Sequence, residues 1–269
     1  MTPPNLKINL IIKYVYILYY NMPSKKLRIR KVRDTGEKFY TNKGKVLPPL
    51  PLRAMAVGRS QSSGKTNLGV ALFSDKDLYG NDFDGDDIYI FSNSINSDDK
   101  LKRFIKFKKI PEDNLFHGYD EEILEALYNN IYSDYQEAIE DGEKPKNVLL
   151  YLDDIAFSGA FKKNRYGVIN RIFSNGRHVL CSIFITLQSY TSALTSIREN
   201  ANAIFLFSMS NRQLEQCADD HAIMSNKDFK KMFRKATKAK YSFLLINYNN
   251  PAESRYLNNE FEPIELNLD

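Results

Sequence analysis

A chain of 269 residues with 43% hydrophobic and 26% charged positions can bury one sizeable core, and its two cysteines are too few for the disulfide framework of a small secreted domain. The balance of 38 basic against 33 acidic residues, a formal charge of +5, permits a polyanionic partner without requiring one.

Residues 8–20 are apolar and aromatic, but Lys13 interrupts them. They fall short of the roughly 20 residues that cross a bilayer, so no stable membrane span is expected. No small-residue cleavage site follows, and Met22, succeeded at once by the basic run of residues 23–33, is expected to be the true start. Residues 1–48 read as a basic N-terminal extension and residues 49–269 as one domain. Pro48, Pro49 and Pro51 make the junction extended, because none of them can continue a helix.

Strands and helices then alternate. Residues 52–57 read as a buried strand, 58–64 as a turn rich in glycine and serine, and 65–73 as a helix. A second strand is expected at 87–91. Residues 121–140 carry Ile123, Leu124, Leu127, Ile131, Tyr135 and Ile139 at the spacing of an amphipathic helix. A third strand at 147–152 ends on Asp153 and Asp154, and a helix is expected at 164–175. The unbroken apolar run 179–187, rich in β-branched residues, reads as a central strand covered on both faces. A loop and helix at 191–200, a strand at 203–207, helices at 212–219 and 226–237, and a last strand at 241–246 complete the order. The fold class that follows is α/β, a mostly parallel central sheet with helices on both faces. Basic residues gather in 25–33, 100–109 and 227–240, where solvated faces explain them as well as a polyanion does.

Between the first strand and the first helix the chain carries Gly58, Arg59, Ser60, Gln61, Ser62, Ser63, Gly64, Lys65 and Thr66. A Gly-Lys-Thr at a strand-to-helix junction is the context of a phosphate-binding P-loop. Backbone N–H groups of residues 62–65 would ring a β-phosphate at the positive end of the helix, Lys65 would bridge the β- and γ-phosphates, and the Thr66 hydroxyl would hold Mg²⁺. The set expected around ATP is Gly58, Ser60, Ser62, Ser63, Gly64, Lys65, Thr66 and Asn67. The loop departs from the usual pattern, because five residues separate its glycines and Arg59 stands where the first glycine is expected. A non-glycine residue at positive φ there would cost about 1 kcal/mol.

Asp153 and Asp154 follow a strand, as a hydrolytic carboxylate pair does. Asp153 would hold Mg²⁺ through water, since a hard cation takes oxygen ligands. Asp154 would orient or deprotonate the attacking water, reaching one methylene less far than a glutamate would. Gln188, directly after the central strand, can donate and accept hydrogen bonds at a γ-phosphate. Arg177 is the first choice for an arginine supplied to a neighbouring subunit's site, and Arg198 the second; either could instead pin a loop by a salt bridge. His178 has no partner at ligand spacing and reads as structural.

Residues 57–60 and 64–67, then Leu152-Asp-Asp-Ile155, Phe173-Ser-Asn-Gly-Arg-His178 and Ile185-Thr-Leu-Gln188, resemble in this order the poxvirus-type genome-packaging ATPases of large DNA viruses and their virophages, a branch of the FtsK/HerA translocases. Phe243-Leu-Leu-Ile246 with Arg255-Tyr256 is similar to that family's closing strand. The resemblance implies a RecA-like P-loop NTPase domain over residues 49–269 that needs ATP and Mg²⁺. It also implies a homo-oligomeric ring around double-stranded DNA, capsid or portal components as partners, and work in the viral factory of the host cytoplasm or on the virion. The residues by themselves leave two alternatives, a nucleoside-kinase-like phosphotransferase and a non-hydrolysing nucleotide-binding scaffold.

Overall fold

The computed structural model describes residues 35–44, 46–59, 64–155 and 167–265. Among the described residues eight strands form one sheet: β1 (Arg53–Val57), β2 (Ile88–Ser92), β3 (Leu115–Phe116), β4 (Val148–Asp153), β5 (Cys181–Leu187), β6 (Ala203–Leu206), β7 (Leu244–Asn247) and β8 (Tyr256–Leu257). Across the sheet they run β3-β2-β4-β5-β1-β6-β7-β8. The first six are parallel, whereas β7 pairs antiparallel with β6 and with β8.

Seven described α-helices accompany them: α1 (Lys65–Ser74), α2 (Asp99–Lys108), α3 (Glu121–Glu140), α4 (Val168–Asn175), α5 (Thr195–Asn200), α6 (Asn211–His221) and α7 (Asn226–Ala236). They divide between the faces of the sheet, and the alternation of strand residues shows how. Met55, Leu150, Leu152, Ile183 and Ile185 enter a core shared with α3, α4, α6 and α7. Ala54, Ala56, Leu149, Tyr151 and Phe184 enter a second core with α1 and α2. A strand buried on both faces has no polar side to show, which is why β4 and β5 read as unbroken apolar runs.

In the second core small residues face large ones. A Cβ on Gly69 would lie 2.4 Å from the Tyr151 hydroxyl, so only glycine lets α1 settle this closely on the sheet. Phe73 then meets Tyr79, Phe83, Tyr151 and Phe184 with ring centroids 5.5 to 6.2 Å apart. Aromatic pairs at such separations stabilise by about 0.5–1.5 kcal/mol beyond the area they bury.

Two expectations need correction. The last strand was expected to begin at residue 241, but Tyr241 has a φ of 69° and pairing starts at Leu244. The central strand starts at Cys181, because residues 176–179 form a 3-10 turn and Leu180 has a φ of 53°. The basic cluster at 100–109, for which no element was expected, falls on helix α2 and its C-cap Lys109, with Leu101 and Phe104 buried beneath the charges. The start of the helix expected at 164 lies outside the described residues, as do residues 1–34 of the N-terminal extension. No helix among the described residues is long and apolar enough to cross a membrane.

Candidate active site

Parallel strands gather the chemistry at their carboxyl ends. The tip of β1 is held from both sides, since Gly58 N–H donates to Leu187 O at 3.0 Å and Phe207 N–H donates to Val57 O at 2.8 Å. The P-loop follows this tip; its residues 60–63, with the expected phosphate ligands Ser60, Ser62 and Ser63, lie outside the described residues. Gly64 re-enters at φ 96°, a left-handed conformation that favours glycine, and α1 begins at Lys65. Thr66 and Asn67 follow in its first turn, Thr66 half-buried and Asn67 exposed.

Lys65 is buried, and its ammonium donates to the loop's own carbonyls, Gly58 O at 2.7 Å and Arg59 O at 3.1 Å. Burial lowers its pKa, while the negative charges of Asp154 and then Asp153 pull it back up. The lysine that opens α1 and the carboxylate pair that ends β4 are thus close enough for their charges to act on one another. Arg59 itself is exposed.

Asp153 ends β4 and is 4% exposed. The Thr186 hydroxyl of β5 donates to its Oδ1 at 2.7 Å, and the hydroxyls of Ser92 and Ser94 lie 3.2 and 3.4 Å from its Oδ2. Burial pushes its carboxyl above the usual range; the Thr186 hydrogen bond opposes this, Asp154 adds to it, and Ser92 opposes it again. The same Thr186 oxygen accepts the Asp154 N–H at 2.9 Å, which fixes the backbone where Asp154 turns to a φ of 51°. Gln188 Nε2 donates to Asp154 Oδ2 at 2.6 Å, while Asp154 Oδ1 is buried with no hydrogen-bond partner. A buried carboxylate oxygen left this way is costly unless a ligand or water meets it.

The arginines separate clearly. Arg177 is exposed at the start of β5, the end of the sheet opposite Gln188, with its Nε 3.3 Å from His178 Nε2. It is not part of the site in its own chain. Arg198 is buried, pairs with Asp220 at 3.2 Å and lies 4.8 Å from the Tyr190 ring centroid, the salt bridge that the loop-pinning alternative calls for.

Beside it stands a cluster that sequence reasoning missed. Tyr190 donates to Asp220 Oδ2 at 2.6 Å and meets His221 Nε2 at 2.6 Å, and Tyr248 meets His221 Nδ1. With the Tyr190 proton committed to Asp220, Nε2 carries the imidazole proton and Nδ1 accepts from Tyr248. Gln213 Oε1 holds the Tyr190 N–H at 3.1 Å, so α6 fixes the loop that follows Gln188. The contacts of Ser92 and Ser94 with Asp153 were missed too, and Thr186, although quoted in the motif ending on Gln188, was given no role on the carboxylate pair.

Among the described residues no group of three or more His, Cys, Asp or Glu could cage a metal. Mg²⁺ does not require one, because it keeps several waters and takes one or two protein oxygens plus phosphate. Asp153 fits that donor set.

No curated protein sequence matches the chain. Among solved structures, the genome packaging NTPase B204 of Sulfolobus turreted icosahedral virus 2 in complex with AMP is 15% identical, with a TM-score of 0.52 over 74% of this chain and 94% of that one. Its AMPPCP complex gives 16%, 0.51, 74% and 94%. The cytoplasmic domain of the Thermomonospora curvata Type VII secretion ATPase EccC is 11% identical, with a TM-score of 0.50 over 74% of this chain and 24% of that one. Identities this low speak for a shared fold, that of the P-loop NTPases. A family model described as Poxvirus A32 protein matches residues 39–256. That match spans most of the chain, so the chain belongs to the Poxvirus A32 protein family, and its resemblance to the poxvirus-type genome-packaging ATPases holds.

Proposed function

We propose that this chain hydrolyses ATP and uses the energy to drive viral double-stranded DNA into a capsid. One observation carries the hydrolytic half: Lys65, Asp153, Asp154 and Gln188 converge at the carboxyl edge of the sheet, with one buried oxygen of Asp154 lacking a partner. The AMP and AMPPCP bound to the B204 structures support a nucleotide as the occupant.

In this reading Gly58, Gly64, Lys65, Thr66 and Asn67, with Ser60, Ser62 and Ser63, surround the phosphates. The Lys65 ammonium exchanges its two loop carbonyls for β- and γ-phosphate oxygens. Asp153, oriented by Thr186 and the two serines, would hold Mg²⁺ together with Thr66. Bound Mg²⁺ neutralises charge on the phosphates. Asp154 Oδ1 orients the attacking water and accepts its proton, and Gln188 keeps that carboxylate aimed from the other oxygen. Such a base typically contributes 10²–10⁴ in rate.

The translocating half rests on the family and on basic surface. Helix α2 exposes Lys102, Arg103 and Lys106, and exposed basic residues recur near the end of α7. We assign DNA phosphate contacts to these two segments, with affinity falling steeply as salt rises. The working form is a homo-oligomeric ring docked on capsid or portal components in the viral factory. Arg177 of one subunit completes the site of the next.

The test is the ATP hydrolysis rate of the purified chain with and without double-stranded DNA, alongside the mass of the assembly. Stimulation by DNA in a ring-sized species is expected; phosphate transfer to a nucleoside with no response to DNA overturns the motor. Arg177→Ala should lower hydrolysis only in the assembled ring. Mixing it with Lys65→Ala subunits should restore part of the rate, and mixtures that recover nothing remove the trans role.

A further inference from the structure

The turn between α7 and β7 ends on Tyr241, whose φ of 69° suits glycine or asparagine and strains a bulky side chain. The ring is not spent on packing, since Tyr241 remains 53% exposed. Its neighbours hold it in that posture. Ser242 is buried and anchors the turn, its hydroxyl donating to Ala239 O at 2.7 Å and its N–H to the same carbonyl at 3.2 Å. Phe243 packs on Phe205 and Phe207, with centroids 5.4 and 5.6 Å apart. Strain that the surroundings impose on an exposed side chain collects at ligand sites.

The position of the ring shows which ligand. A Cβ on Gly64 would lie 3.4 Å from Tyr241 Cβ and 3.3 Å from Phe207 Cε1, so Tyr241 stands against the residue that closes the phosphate loop. It does so on the β6–β7 side of β1. Asp153, Asp154 and Gln188 stand on the β4–β5 side. A nucleoside triphosphate with its terminal phosphate at Asp154 and its β-phosphate at the start of α1 must carry its ribose and base the other way, toward Tyr241. We infer that the Tyr241 ring is the platform on which the base of the bound nucleotide stacks. Lys240, its ammonium 4.8 Å from the ring centroid, steadies the ring by a cation–π contact.

The inference rests on the ATP-site reading above, and its test separates the two. Binding of adenylyl imidodiphosphate and of inorganic tripolyphosphate, both with Mg²⁺, is measured by calorimetry on the wild type, Tyr241→Asn, Tyr241→Phe and Lys65→Ala. Asparagine accepts the left-handed backbone, so Tyr241→Asn removes the ring without unfolding the turn. Nucleotide affinity should fall about tenfold in Tyr241→Asn, within the range of base–aromatic stacking, and stay within about twofold in Tyr241→Phe. Tripolyphosphate affinity should not change in either. Unchanged nucleotide affinity in Tyr241→Asn overturns the platform, and so does an equal loss for tripolyphosphate, which would make Tyr241 a support of the phosphate loop. A wild type that binds neither ligand, or a Lys65→Ala that binds both as well as wild type, overturns the ATP site itself.

Discussion

Two buried polar clusters lie two residues apart along the chain and are built to opposite ends. Around Gln188, Thr186 and Asp153 are fully engaged, yet Asp154 keeps one oxygen without a partner. Around Tyr190, both imidazole nitrogens of His221, the hydroxyl of Tyr190 and a carboxylate oxygen of Asp220 close upon one another. The first cluster accepts a cost in stability to keep an acceptor available; the second uses the same kinds of group to lock a loop. Other buried atoms among the described residues also lack a partner, Arg198 Nε beside the second cluster among them. What sets the first cluster apart is that its unpartnered atom is a carboxylate oxygen at the strand tips near Lys65.

Substitutions should split along that line. The largest effect is expected from Asp154→Asn, which should lower turnover by roughly 10²–10⁴ while nucleotide binding persists; turnover near wild type would remove Asp154 from the mechanism. In the closed cluster, Arg198→Ala leaves Asp220 without its cation and should cost about 3 kcal/mol of stability in urea denaturation. The folded fraction should retain its hydrolysis rate. Loss of turnover with stability intact would instead make Arg198 reactive.

His221 supplies a pH signature. Burial pushes it down to about 4, with Asp220 pulling it up and Arg198 adding to the fall. The unfolded chain takes this proton near 6.5, so between about 6.5 and about 4 the unfolded state binds protons that the folded state refuses. Stability should decline as pH falls through that window, by at most about 3 kcal/mol from this residue, with no contribution above it. His221→Gln should flatten this part of the thermal-stability profile; an unaltered profile would show that the imidazole does not control it. The smallest effect is a gain. Tyr241→Asn should stabilise the ligand-free chain by roughly 1 kcal/mol by relieving left-handed strain, measurable as a raised denaturant midpoint.

Most of the fold could be read from residues because its signals are local. The apolar runs of β4 and β5, the heptad-like spacing in α3 and the Gly-Lys-Thr junction each sit within a few consecutive positions. What escaped is non-local. The direction of β7 is set by the strand it joins rather than by its own residues, and Tyr241 looked like strand because aromatic residues favour strands. In α2 the lysines and Arg103 masked Leu101 and Phe104. The carboxylate pair was legible at the tip of a strand, but its supports were not: Ser92 stands 61 positions from Asp153, and Thr186 stands 33. Tyr190, Asp220 and His221 share a similar separation, bridged only when α6 folds beside the central strands.

Among the described residues the outermost strands of the sheet, β3 and β8, are two residues each, and the chain turns back at residues 258–264 to pair with the outer side of β8. An open row of backbone donors and acceptors invites another chain to add itself by strand pairing, and brevity at an edge removes the invitation. For a protein proposed to work shoulder to shoulder with copies of itself, this separates assembly from aggregation. In the proposed ring, neighbours that meet through side chains rather than a shared sheet could loosen and tighten their contact over a cycle.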